Sequence, residues 1–246
     1  DAAVRERTLA GEAIYELDRD ALERLAPELI VTQELCPVCA VSYEEVEQIA
    51  KQLSSKPRVI ALDPKTLGET LGDIRTVAEA TGARERGIEL VGETAGRIDR
   101  VKLSVRSQAP VRVAAIEWLD PVYVAGHWTP QLIELAGGED VLALPGEHSR
   151  VVSWEELAAS RPEVVVVMPC GYDAPRAHEE ALLFADRLAA LGARRTVAVN
   201  ASAYFSRPGP RLIDGLELLG HILHPEQLTT APGEALEVEL RATPTS

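Results

Sequence analysis

The segments LERLAPELIVTQELC (residues 22–36) and LAASRPEVVVVMPCG (residues 157–171) follow one pattern. Each leads from a helix end through Pro-Glu into an unbroken apolar run, then into a loop that carries a cysteine. The runs Leu29–Thr32 and Val164–Met168 show no polar alternation, so both faces of each strand need cover. Strands of that kind sit in parallel sheets and are joined by helical crossovers. Ligands of such sheets bind at the carboxyl ends of the strands, which places the Cys36 loop and the Cys170 loop on two rims. If the halves face one another, those rims line a shared cleft.

The flanking sequence supplies the crossovers. Residues 2–10 have helical periodicity, with Gly11 as a stop. Asp18 caps a helix over Arg19–Ala26, which Pro27 ends. Ser42 with Glu45 forms a capping box for a helix to Leu53. Arg58–Leu62 is a second strand, and Leu67–Thr81 a helix stopped by Gly82. From Ala83 to Ser107 apolar residues recur at helical spacing, although Gly87, Gly92 and Gly96 weaken the pattern. The alternation then restarts. Strand Val111–Ile116 leads into a loop rich in Trp and Tyr and a helix over Pro130–Ala136. A capping box at Ser153 and Glu156 precedes strand Val164–Met168. Helix Pro175–Leu191, strand Val197–Asn200 and helix Pro210–Leu223 complete the series, and the tail from Glu226 reads as loose at its end. The expected fold is α/β, with two mostly parallel-sheet lobes, 1–83 and 109–246, joined by one long helix, 84–108.

Composition excludes several classes. The 246 residues suit one large domain or two small ones, and 46% apolar content is ample for a core. A net charge of -14 argues against nucleic acid, which needs a basic face. No apolar run approaches the roughly 20 residues of a membrane-spanning helix. Three cysteines are too few for a disulfide framework. The opening DAAVRERTLAGE carries no signal-peptide pattern and no initiator Met, and reads as a processed or cut end. The compartment is therefore not read from it.

Four blocks of residues, in order, resemble one family: LAPELIVTQELCPVCAVSYEEVEQI, IEWLDPVYVAGHWTPQLIELAGGED, PEVVVVMPCGYD and NASAYFSRPGPRLIDGLELLGHILHPE. The chain is similar to the cobalamin-type, single-helix-hinged substrate-binding proteins of ABC importers. The resemblance implies a corrinoid ligand held between two α/β lobes, delivery to a membrane permease, and a place outside the cytoplasm, in the periplasm or at the cell surface. It also implies that the protein is not an enzyme. Family members usually begin with a further strand and a Pro-Ser-Ala-Thr-Glu-like loop, absent here. The first lobe is therefore expected to be incomplete, the chain N-terminally truncated.

The motifs bear on this reading one by one. Cys36 and Cys39 lie before the Ser42 cap, not at the helix N-terminus that activates a redox thiol. Zinc needs about four ligands, and no second C-x-x-C supplies them. The loop is read first as a pocket rim with Gln33 and Cys36 nearest the ligand, then as a reversible disulfide, and last as a metal site. Two small residues packing a tight turn is the plain alternative. Aromatics make up only 4% of the chain, yet Trp118, Tyr123 and Trp128 fall in one expected loop, Tyr172 in another, Tyr204 and Phe205 in a third. Flat side chains on a rim suit a large flat ligand such as a corrin, a haem or an aromatic siderophore. The alternative is that half of them plug the lobe. His127 is a candidate for cobalt ligation or a polar contact, or for a backbone hydrogen bond. Arg207, before Pro208, is a candidate for ligand oxygens or for anchoring its loop. No nucleophile elbow, zinc-protease motif or nucleotide-binding glycine loop is present. No catalytic cofactor or resident metal is expected. The alternative of another class is a thiol redox protein using Cys36 and Cys39. A third is a fragment or subunit that binds nothing alone.

Overall fold

The computed structural model describes residues 17–33 and 41–240. The expected helix at residues 2–10, the C-x-x-C pair and the chain's last six residues lie outside them. The described chain divides into two compact units, residues 1–64 with 76–83 and residues 65–75 with 84–246.

The first unit contains α1 (Arg19–Leu25), β1 (Leu29–Gln33), α2 (Tyr43–Gln52) and β2 (Arg58–Leu62). Asp18 caps α1 by accepting from the Ala21 amide at 2.8 Å. Ser42 caps α2 by accepting from the Glu45 amide at 3.2 Å. Val46, Ile49 and Ala50, spaced as one helical face, are the residues α2 buries. β1 and β2 pair in parallel, Leu29 opposite Arg58 through Gln33 opposite Leu62. α3 (Leu67–Ala80) follows and crosses the division between the units.

In the second unit, which also takes in residues 65–75, α4 (Arg84–Val105) is 22 residues or about 33 Å long. β3 (Val111–Leu119), β4 (Val122–Val124), α5 (Thr129–Leu135), β5 (Gly138–Asp140), β6 (Arg150–Val151), α6 (Trp154–Ala159) and β7 (Val164–Val167) come next. α7 (Ala174–Leu183), α8 (Ala185–Ala189), β8 (Arg195–Val199), α9 (Ala201–Tyr204), α10 (Leu212–Leu223) and β9 (Ala235–Glu237) complete it. The sheet order is β6-β4-β3-β7-β8-β9. β3, β7 and β8 are parallel, and all four valines of β7 are buried. The edge of β3 away from β7 is shared: β5 pairs in parallel with Val111–Val113, and β4 pairs antiparallel with Ile116–Leu119.

Two expectations need correction. The aromatic loop after β3 is a hairpin: β3 runs on to Leu119, turns at Asp120-Pro121, and returns as β4 with Trp118 opposite Tyr123. Pro121 masked a strand signal that Val122, Tyr123 and Val124 carry. The helix expected over Pro175–Leu191 breaks at Phe184, whose ring stacks on Trp154 at 6.1 Å. Within the tail, Ala235–Glu237 form β9, antiparallel to β8 with Ala198 opposite Leu236, and the end expected to be loose lies outside the described residues.

α4 is continuous despite its glycines because tertiary contacts outweigh about 1 kcal/mol of lost propensity at each. Val91, Thr94, Val101 and Val105 are buried along one face. Arg97 reaches α10, donating from Nε to Glu217 at 2.8 Å and from Nη2 to Glu217 and Asp214 at 2.6 Å each. These bonds, Glu217's foremost, raise the proton affinity of the guanidinium despite its partial desolvation. At the far end of α10, buried His224 directs Nε2 to the Gly137 carbonyl at 2.9 Å. Gly137 has φ +83°, and a Cβ there would lie 2.6 Å from that ring nitrogen.

Asp140 ends β5 with Oδ1 accepting from the Leu142 and Ala143 amides at 3.0 and 2.9 Å. Its Oδ2 is buried without a hydrogen-bond partner among the described residues. Burial outweighs the two backbone bonds, and with a smaller push from Glu134 it raises the carboxyl from 3.8 to about 6.

Two outcomes are expected. Arg97→Ala should lower stability by about 1–2 kcal/mol in urea unfolding, and Arg97→Lys by less, since one donor remains while the fork is lost. Because the folded-state value of Asp140 is raised, its protonation stabilises the fold fully below pH 3.8, and that contribution is lost as pH rises through about 6. Asp140→Asn should remove this component, of order 2–3 kcal/mol, from the pH dependence of the unfolding free energy measured against the parent chain.

Candidate functional site

The carboxyl ends of β3, β7 and β8 form a rim in the second unit. Beyond β7 the backbone stays beside β3: the Met168 amide donates to the Ile116 carbonyl at 2.8 Å and the Cys170 amide to the Glu117 carbonyl at 3.2 Å. The loops after β7 and β8 are tied together. The Ser202 amide donates to the Tyr172 carbonyl at 3.0 Å, and the Gly171 amide to Ser206 Oγ at 3.1 Å. Asn200 caps α9 by accepting from the Ala203 amide at 2.8 Å.

On this frame Trp118 and Tyr172 meet edge to face, ring centroids 5.7 Å apart. The Arg176 guanidinium lies 3.8 Å from the centre of the Tyr172 ring. Trp118 donates from Nε1 to the Asp120 carbonyl at 3.1 Å, which fixes its ring. Tyr172 is buried, Trp118 half-buried, and Cys170 exposed. The cluster presents an aromatic edge backed by a cation, a surface able to cover an apolar ring and meet an anionic or polar substituent.

A second cluster lies where β4 leaves the sheet. Trp128 and Phe205 are each 4% exposed, and Trp128 Nε1 donates to the Phe205 carbonyl at 2.8 Å. The half-buried Tyr204 ring covers Gly233, where a Cβ would lie 2.6 Å from it. Gly126 closes against residues 147–149, and a Cβ on it would lie 2.5 Å from the Glu147 carbonyl oxygen. Its amide donates to Ser149 Oγ at 3.1 Å, the His127 amide to the Glu147 carbonyl at 2.6 Å, and the Gly146 amide to the His127 carbonyl at 2.9 Å. This zipper holds His127 at φ +55° and sets its ring against His148.

The structure thus brings Trp118, Tyr123 and Tyr172 to one place, and His127, Trp128 and Phe205 to another. Arg207 is exposed, with Nη1 3.4 Å from the Ser202 carbonyl. Gln33 ends β1 in the first unit, and Cys36 lies outside the described residues. Sequence reasoning did not find Arg176 or His148. Arg176 is signalled by the Asp173 cap, which sets the helix register that turns it back toward Tyr172. His148 carries no local signal, since only the close approach at Gly126 brings it to His127. Among the described residues no three or more His, Cys, Asp or Glu side chains gather as a metal site. Among them, too, no helix is long and apolar enough to cross a membrane.

Residues 11–193 match the periplasmic binding protein family, and the chain belongs to that family. Its members are solute-binding proteins. Solved structures share the fold. An ABC transporter substrate-binding protein from Listeria monocytogenes superposes with TM-score 0.69 at 15% identity, over 84% of this chain and 80% of that one. The periplasmic haem-binding protein RhuT from Roseiflexus sp. RS-1 gives 0.65 at 25% identity, over 86% and 81%. The periplasmic vitamin B12-binding protein BtuF of Vibrio cholerae gives 0.65 at 21%, over 86% and 81%. No curated protein matches the chain.

Trp128→Phe removes the donor to the Phe205 carbonyl while preserving most of the ring volume. It should cost about 1–2 kcal/mol of stability in thermal or urea unfolding, with the far-ultraviolet spectrum unchanged.

Proposed function

We propose that the chain captures a corrinoid, cobalamin or a close relative, and delivers it to the permease of an ABC importer outside the cytoplasm. The observation that carries this reading is the Trp118–Tyr172 pair with Arg176 over Tyr172 at the strand ends of the second unit. A corrin is large and flat, with polar amide arms, and needs both an apolar contact surface and hydrogen-bond partners at its edge. Half-buried Trp118, Tyr123 and Tyr204 and exposed Arg207 have surface to offer a ligand. Buried Tyr172, Trp128 and Phe205 hold that surface in place from beneath. His127 contributes a polar contact in this reading. In this reading residues 84–108 connect lobes 1–83 and 109–246. Capture involves desolvation and packing, with no covalent step, and affinity rests on a surface ordered before the ligand arrives.

A second reading, haem on the same residues, is favoured by the likeness to the haem-binding protein RhuT. Arg176 and Arg207 would then meet carboxylates. The thiol alternative stands on Cys36 and Cys39, and a thiol titration separates it: a depressed thiolate pKa favours redox chemistry.

Calorimetric titration of the chain with cyanocobalamin, haemin and a ferric catecholate siderophore separates the ligands. Saturable one-to-one binding of cyanocobalamin is expected, weakened at least tenfold by Trp118→Ala. Selective binding of haemin replaces the first reading with the second, and binding of none of the three refutes both.

A further inference from the structure

The chain has five histidines, and three of them are used in the same way. His178 directs Nε2 to the Glu237 carbonyl, His221 directs Nδ1 to the Leu228 carbonyl, and His224 directs Nε2 to the Gly137 carbonyl. His127 and His148 differ, because they face each other. His127 Nε2 lies 3.1 Å from His148 Nδ1, with the rings 5.1 Å apart and nearly perpendicular. Both side chains are accessible to solvent.

We propose that His127 Nε2 and His148 Nδ1 form a two-nitrogen chelate for a divalent first-row transition-metal ion. The spacing carries the argument. At metal–nitrogen distances of about 2.0–2.1 Å, two donors lie about 2.9 Å apart at a right angle and about 3.3 Å apart at the tetrahedral angle. The observed 3.1 Å falls between these values. Reorientation of the exposed His148 ring and the half-buried His127 ring would turn both lone pairs onto one ion. Imidazole nitrogen selects Ni2+, Cu2+, Zn2+ or Co2+ over Mg2+ and Ca2+, which prefer oxygen.

The backbone beneath the pair is built to hold the spacing. Gly126 allows the two loops to touch, and three hydrogen bonds close them on either side of the rings. The donors are 21 residues apart in sequence and are ordered without the metal, so little chain entropy is lost when it binds. Two protein donors leave the remaining positions of the ion to water or to the donor atoms of a small molecule. The site is therefore open, unlike a four-ligand structural site. Glu147 lies between Gly146 and His148 on the exposed loop and adds negative charge near a bound cation. The inference does not depend on the corrinoid reading, because it concerns the ion alone.

The test is a titration of the untagged chain with NiCl2 and CuCl2 at pH 8, by calorimetry. One site is expected. His127→Ala and His148→Ala should each weaken it at least tenfold, and the double variant little more, since one chelate is lost in every case. Cys36→Ser with Cys39→Ser should leave it unchanged. In the parent chain, the electron paramagnetic resonance spectrum of bound Cu2+ should show coupling to two imidazole nitrogens, a readout independent of any variant's folding. Acidification to pH 5 should release the ion as protons compete for the nitrogens. The proposal is overturned if no site is found, if the site survives either histidine substitution, or if the copper spectrum shows fewer than two nitrogens. In any of those cases the pair is a hydrogen bond between two imidazole rings.

Discussion

Parallel pairing of β3, β7 and β8 is the constraint from which the larger unit follows. Ala114, Ile116, Val165 and Val167 on one face and Val113, Val166 and Val197 on the other are fully covered, and that requires packing on both faces of the sheet. The connections have to return the chain to the starting edge each time, so these three strands end on the same side. At that side stand Trp118 near the end of β3, Tyr172 in the loop after β7, and Tyr204 at the end of the short helix after β8. The rim is therefore a consequence of strand direction, and its chemistry of the residues that happen to follow each strand.

The rim is not left to loop flexibility. Strand pairing continues past β7 through Met168 and Cys170, and the loop after β8 is bonded back to Tyr172 and Gly171. Aromatic rings on such a frame lose little rotational freedom when a ligand covers them. The Gly126 zipper does the same for the loops around His127. A surface that is already ordered spends little free energy on capture.

Much of the architecture was legible from local chemistry. The caps at Asp18, Ser42 and Ser153, the strand Arg58–Leu62 and the long helix 84–105 all match their sequence signals within a few residues. These features depend on side chains bonding to their own backbone or on a single buried face. What escaped depends on distant partners. β4 and β9 are short and exist because β3 and β8 offer unpaired edges. The break at Phe184 depends on Trp154, 30 positions earlier. In the candidate site the aromatic residues stood out by type, but which of them are covered and which face outward is a property of packing. His148 reaches His127 only because residue 126 has no side chain.

The antiparallel pairing of β9 with β8 bears on how the chain is made. β8 spans residues 195–199, and its outer edge stays open until residues 235–237 emerge. During synthesis, a finished row of valines and its helices wait with one flank of amides and carbonyls unpaired. Another nascent chain on the same messenger presents the same flank. The interval of 35 residues between the two strands, 200–234, is thus a window in which edge-to-edge association competes with correct closure, and the speed of translation through that stretch sets its length.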